Sequence, residues 1–260
     1  MKLRSISALL VALVLGACAS SSPTTGGAST KKTDVTVFAA SSLTEAFTKL
    51  GSLLEKQNPG SSVHFNFAAS DTLATQITQG GPADVFAAAA ADPMATVTAA
   101  SLAVGHPTVF ATNRLVIITS ENAAVHITDP HSLAAPGVKL VLAAPGVPAG
   151  DYARQVLDNV GIRKQASHNV VSNEVDDKSV VSKVLLGNAD AGIVYVTDLT
   201  PDVASKLKVV RIPKADNVVA RYPIVALKAG SEPSAGQRFV NLVLSPTGQR
   251  VLRGFGFGAP

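Results

Sequence analysis

The residues of this chain best suited to chemistry are small hydroxyls and bare backbone at three junctions: Ala40-Ser41-Ser42, Ala69-Ser70-Asp71 and Val147-Pro148-Ala149-Gly150-Asp151. Each junction is small and polar, each reads as the start of a helix, and none carries Lys or Arg. The first N–H groups of a helix have no intrahelical acceptor and lie at the positive end of its dipole. Hydroxyls set beside them hold a fully ionised anion by dipoles alone. The same residues also read as ordinary helix caps. Ser42 with Glu45 three positions on has capping-box spacing, and Ser70 taken alone is a cap. On these stretches alone both readings stand.

Other chemistry is poorly represented. The chain has no G-x-S-x-G elbow and no Gly-rich phosphate loop ending in lysine. Its five histidines are His64, His106, His126, His131 and His168. Only His126 and His131 lie close together, with Asp129 between them, and that spacing matches no metal signature. A serine hydrolase needs a base, and no histidine has a suitable context. The expectation is therefore a binding protein that is not an enzyme, with no resident cofactor or metal. Nucleic acid is not an expected partner. The formal charge is only +4, the basic residues form no stripe, and with no Trp and three Tyr there is no stacking platform.

The elements that must position the junctions follow from pattern. Val35–Ala39 is a short buried strand by composition, and apolar residues at 43, 46, 47, 50, 53 and 54 form a helical stripe ended by Asn58-Pro59-Gly60. Val63, Phe65 and Phe67 alternate as a strand; 72–79 reads as a helix, 84–88 as a strand, and Asp92-Pro93 as the cap and first residue of another helix. Further on, strands are expected at 115–119, 138–143, 191–195, 209–212 and 222–227. Helices are expected at 151–160, 177–186, 233–244 and 246–254, the last capped by Ser245. Alternating strands and helices predict an α/β fold with a largely parallel sheet, and such sheets bind ligands off the carboxyl ends of their strands. Ser42 and Ser70 both fall on that edge.

The N-terminus reads as a targeting segment. Lys2 and Arg4 precede an apolar run, Ile6–Leu15, that is too short to span a bilayer. The run ends in Leu15-Gly16-Ala17-Cys18, which resembles the lipobox of bacterial lipoproteins, and Cys18 is the chain's only cysteine. Cleavage before Cys18 and its lipidation would anchor the protein to a membrane without a spanning helix. The alternative is an ordinary secretory signal. Residues 1–17 are thus assigned as signal, and 18–33, rich in Ser, Thr and Gly, as a disordered tether.

Taken together, VFAASSLTEAF, FAASDTLATQI, GGPADVFAAA, APGVPAGDYAR and GNADAGIVYVTD, followed by Tyr222-Pro223-Ile224-Val225 and the closing Arg253–Phe257, resemble the molybdate-binding ModA family of bacterial ABC transporters over about residues 34–257. The resemblance implies a two-lobed, type II periplasmic-binding-protein-like fold with an oxyanion clamped between the lobes. It implies that Ser42 and Ser70 each donate a hydroxyl and a backbone N–H, Ala149 a backbone N–H, and Tyr195 its phenol. By residue type alone, Tyr195 at the end of a buried strand reads more readily as a half-buried core tyrosine than as a ligand. A further backbone N–H is implied eighteen residues before Tyr195, at Asp177, where the family more often has valine. A shift of one or two residues would put Val175 or Asp176 there instead. An ionised Asp177 beside a dianion is unfavourable unless it turns away or pairs, for example with Lys178; Asp71 raises the same question.

The resemblance further implies lobes of residues 34–113 with 221–260, and 114–220, and crossings near 113–115 and 220–222. It implies molybdate or tungstate as ligand, an ABC permease as partner, a monomer, and a place on the outer face of the cytoplasmic membrane. A binding protein for sulfate or another tetrahedral oxyanion is the alternative. An exported enzyme and the sensing domain of a regulator are two further readings.

Overall fold

The computed structural model describes residues 33–260. The signal, Cys18 and the tether through residue 32 lie outside them. The chain opens with β1 (Thr33–Ala40), a 3-10 turn (Ser41–Leu43), α1 (Thr44–Gln57), β2 (Ser61–Ala68), α2 (Ser70–Thr78), β3 (Val85–Ala87) and α3 (Ala91–Ala99). A long strand, β4 (Ala103–Ser120), follows, then a 3-10 turn (Pro130–Ala134), β5 (Leu140–Ala143), α4 (Pro148–Asn159), α5 (Arg163–His168), β6 (Val170–Glu174), α6 (Asp177–Leu185) and β7 (Ala191–Tyr195). The chain closes with a 3-10 turn (Val196–Asp198), α7 (Pro201–Ala204), β8 (Leu207–Arg211), β9 (Val219–Leu227), α8 (Pro233–Leu244) and α9 (Pro246–Gly254).

β4 joins two sheets. From Ala103 to Arg114 it pairs antiparallel with β9, ending at Arg114 opposite Val219. From Leu115 onward it pairs antiparallel with β7, Leu115 opposite Tyr195, and with β8. In the first sheet β1 lies parallel to both β2 and β3, with β9 antiparallel to β3. In the second, β5 lies parallel to β6 and β7. The result is a two-lobed mixed α/β arrangement. The expectation of a largely parallel sheet is corrected: the parallel strands sit in one cluster per lobe, and β4 and β9 are antiparallel wherever they pair. The first half of β4, which includes His106 and Pro107 and is largely exposed at its start, has no apolar alternation from which to read it. α5, β6 and α7 are likewise additions; β6 is only half-buried.

Four helix starts differ from expectation: α2 begins at Ser70 rather than at 72 and α4 at Pro148 rather than at 151, and α1 and α3 differ as follows. α1 begins at Thr44, and its N-cap position is Leu43, without a side-chain cap. The Ser42–Glu45 capping box does not form, because both side chains have tertiary partners: Ser42 meets Tyr222 and Glu45 meets Lys178. α3 begins at Ala91 rather than after Asp92. Pro93 still falls in its first turn, where a missing N–H breaks no helical bond. By contrast, α8, α9 and β7 have the expected limits, and Ser245 Oγ accepts from Gly248 N as a cap.

The first lobe packs on Phe47, whose ring centroid lies 5.4 Å from that of Phe239 and 5.7 Å from that of Phe110. Where the lobes meet, the Tyr222 ring contacts Phe257 at 5.4 Å and Tyr195 at 5.9 Å. Asp84, fully buried, accepts from Thr36 N and Glu232 N and so ties β1 to the chain entering α8. Among the described residues no helix is long and apolar enough to cross a membrane.

The start of α4 is held against the end of β5 at one glycine. A Cβ at Gly150 would stand 2.2 Å from Ala144 O and 2.4 Å from Ala143 O. Arg154 locks the same turn by donating to Ala143 O and Gly150 O. Gly150→Ala is expected to destabilise the protein by about 1–3 kcal/mol, since backbone must move to admit the methyl. Chemical denaturation measures this, and an unchanged midpoint would refute the close approach.

Candidate functional site

Each lobe delivers its helices to one edge. β2 passes through Ala69 into α2, β5 through a four-residue turn into α4, and β6 through Val175 and Asp176 into α6. The first turns of these three helices, with the 3-10 turn after β1, meet around a small cavity of about 10 Å³. It is lined by Ala40, Ser41, Ser42, Ala69, Ser70, Ala89, Val147, Pro148, Ala149, Asp177 and Tyr195. All five expected ligand positions, Ser42, Ser70, Ala149, Asp177 and Tyr195, are therefore brought together. Ser70 and Asp177 are the first residues of α2 and α6, and Ala149 the second of α4. Their N–H groups are among those with no intrahelical acceptor. No Lys or Arg lines the cavity.

The hydroxyls are oriented by fixed donors. Ser70 Oγ accepts from Ala89 N at 2.9 Å, which leaves its own proton for the cavity. Arg114 N donates to Asn113 Oδ1, which fixes the Asn113 amide. Asn113 Nδ2 then donates to Thr197 Oγ1 and to the Tyr222 hydroxyl. Tyr222 and Ser42 share a hydrogen bond of 2.9 Å. Either hydroxyl can donate in that bond; when Tyr222, whose oxygen accepts from Asn113, is the donor, the Ser42 proton is left for the cavity. Asn113 and Tyr222 were not legible as site residues in the sequence: neither lies at a helix start. Tyr195 is 1% exposed, and its hydroxyl makes no hydrogen bond. Burial, and then the neighbouring Tyr222 and Asp177, push its pKa well above the usual phenol value, so it stays a donor.

At the α6 junction the three candidate residues are placed differently. Asp176 is the N-cap, and its side chain accepts from Ser179 N. Val175 is 73% exposed, whereas Asp177 is 3% exposed and faces the cavity. Asp177 does not turn away, and its hydrogen bond is not to Lys178. Its Oδ1 accepts from Ser41 Oγ. Lys178 Nζ instead donates to Glu45 of α1 at 2.9 and 3.1 Å and lies 3.6 Å from Asp198. Burial opposes the charge of Lys178, but Asp198 and Glu45 together hold its pKa up. Asp198 Oδ2 accepts from Tyr195 N. Burial is the largest cause raising the pKa of Asp177, and of Asp198 still further, and the two carboxyls interact directly. Asp71, only partly buried, belongs to a wider groove that also includes Asp92 and Asp151, outside this cavity. Asp129 caps the 3-10 turn at Pro130–Ala134.

Two expectations follow. Tyr195→Phe removes a buried hydroxyl that has no protein partner, so thermal unfolding should find the variant as stable as the parent or more so. A clear loss would mean that the hydroxyl is structurally engaged. The second concerns pH. With pKa values raised in the fold, the carboxyl pair holds more protons folded than unfolded, so its contribution is complete below the ordinary carboxylate pKa and lost as pH rises through the raised values. Asp177→Asn should therefore gain stability relative to the parent as pH rises above the ordinary carboxylate range and through the raised values. A difference that stays constant across the series would rule out titration of Asp177.

Comparison with known proteins bears on what this cavity is. The family model for bacterial extracellular solute-binding proteins matches residues 35–258. The molybdate-binding protein ModA of Mycobacterium tuberculosis is 42% identical over 257 residues, covering 98% of this chain and 96% of that one. The molybdate-binding protein ModA of Haemophilus influenzae is 33% identical over 234 residues, 86% of this chain and 90% of its own. The periplasmic molybdate-binding protein of Azotobacter vinelandii superposes with a TM-score of 0.78 over 87% of this chain and 99% of its own; at 20% identity this bears on the fold alone. The chain belongs to the bacterial extracellular solute-binding proteins and, among them, to the ModA family.

Proposed function

We propose that the chain is the extracytoplasmic solute-binding subunit of an ABC importer for molybdate and tungstate, anchored through a lipid on Cys18. The observation that carries the ligand assignment is the cavity itself. Three helix starts, the hydroxyls of Ser42 and Ser70 and one unpartnered phenol converge where no cationic side chain intrudes. Such a set suits a compact, fully ionised tetrahedral anion. In this reading Ser42, Ser70 and Tyr195 donate hydroxyls, and Ser42, Ser70, Ala149 and Asp177 donate backbone N–H groups.

The lobes are taken as residues 34–113 with 221–260, and 114–220, hinged where β4 changes partners. Ser42 and Ser70 then belong to one lobe and Ala149, Asp177 and Tyr195 to the other. Ligand bridging them shifts the population toward the closed form, which the membrane permease receives. The 42% identity to a molybdate-binding protein supports the ligand. Donor chemistry supports the selectivity provided the Asp177 carboxyl in the cavity wall offers no acceptor: a protonated phosphate oxygen without an acceptor then loses on the order of 1–3 kcal/mol, and sulfate, being smaller, leaves its hydrogen bonds long.

Calorimetric titration of the purified protein with molybdate, tungstate, sulfate and phosphate tests this. The expected result is tight one-to-one binding of the first two and weak binding of the others. Ser42→Ala and Ser70→Ala should each weaken molybdate about tenfold to about a hundredfold, as for hydrogen bonds to a charged group. Preference for sulfate or phosphate would overturn the ligand assignment and leave the fold standing. A labelled fatty acid that fails to incorporate at Cys18 would overturn the anchor.

A further inference from the structure

The feature that the proposed function leaves unused is the side chain of Asp177. An N–H donor at this place needs no side chain, yet a carboxyl is buried in the wall of the cavity. Its surroundings are poor in positive charge. Asp176 and Lys178 flank it on α6. Asp198 and Tyr195 face it from the end of β7 and the turn after it, and Tyr222 faces it from β9. Ser41 donates to it from the turn after β1, and Glu45 of α1 stands behind Lys178. Lys178 is thus the one cation among three carboxyls, Glu45, Asp177 and Asp198, and its contacts are to Glu45 and Asp198. Asp177 Oδ2 and Asp198 Oδ1 are both buried and receive no hydrogen bond from the protein.

Resting on the oxyanion reading above, we infer that Asp177 is a specificity-determining ligand group whose carboxyl holds the pair's proton when ligand is bound and donates it in a hydrogen bond to the dianion. Without ligand the contact between the two carboxyls lowers Asp177 and raises Asp198, which puts the shared proton on the Asp198 side; a bound dianion beside Asp177 reverses that preference, and the partners of each carboxyl allow it. Asp198 has the Lys178 ammonium and the Tyr195 N–H to stabilise a charge. Asp177 has one hydroxyl and would face two further negative charges when ligand is bound. Two buried carboxyls in contact cannot both ionise without a matching cation, so the pair titrates as one unit holding one proton. With that proton the cavity remains a set of donors. Without it, Asp177 would repel a dianion and offer an acceptor to a protonated oxyanion such as hydrogen phosphate.

Infrared difference spectroscopy on the purified protein at about pH 8, molybdate added against none, reads the proton directly as the C=O stretch of a protonated carboxyl. The expected bound-state spectrum has that band, shifted in D2O. The band is lost in Asp177→Asn and kept in Asp198→Asn. Asp177→Asn, whose amide still donates, should bind molybdate within about tenfold of the parent, about 1.4 kcal/mol. Should the amide variant not fold, Asp177→Val makes the same spectral distinction. Tight molybdate binding without the band, or a band that survives the loss of Asp177 or vanishes with Asp198, overturns the inference alone. Calorimetry showing no molybdate binding at any pH overturns the oxyanion reading, and this inference with it.

Discussion

The constraint on which the rest depends is that a buried cavity must present positive potential without a cationic side chain. Backbone dipoles can do this only if several helices begin at one point and are kept from drifting. The fold meets the requirement through its strand ends. β2, β5 and β6 each stop at the same edge and release a helix within a few residues. Close packing then holds the junctions in place. At α4 the backbone sits against Ala143 and Ala144 so tightly that no side chain fits at Gly150, and Arg154 ties the turn to the strand it leaves.

The buried carboxylates show how differently the same group behaves in different surroundings. Asp84 accepts two backbone N–H groups, and Asp190 accepts from Ala124 N and Lys139 N. These are structural acceptors, each joining segments far apart in the chain. Asp177 and Asp198 receive fewer donors and lie beside each other instead. The difference lies in how many N–H groups the local backbone directs at them. A buried carboxyl that lacks donors must find either a cation or a proton.

Much of this was legible in the sequence because it is local. β7, α8 and α9 have the limits that apolar pattern and proline position gave, and the Ser42, Ser70 and Ala149 junctions stand where small residues follow strands. What was not legible depends on distant pairing. The first half of β4 is a strand because β9 lies beside it, over a hundred residues later in the chain. Ser42 has the composition of a cap and is used otherwise, because Tyr222 reaches it from the far end of the sequence. Asp177 was placed by counting from Tyr195. That its side chain turns inward follows from Ser41 and Asp198, which no spacing rule connects to it.

Asn113 stands immediately before the residues where β4 passes from one sheet to the other. It is also the first donor of the chain of hydroxyls that ends at Ser42. If the lobes hinge here, as proposed above, the strand's bending axis and the polarity of the cavity are one mechanical system. A rotation of β4 at this place would shift the Asn113 amide against Tyr222 and disturb the bond between Tyr222 and Ser42. Grip on an anion would in this way slacken from the pivot outward as well as from the mouth inward.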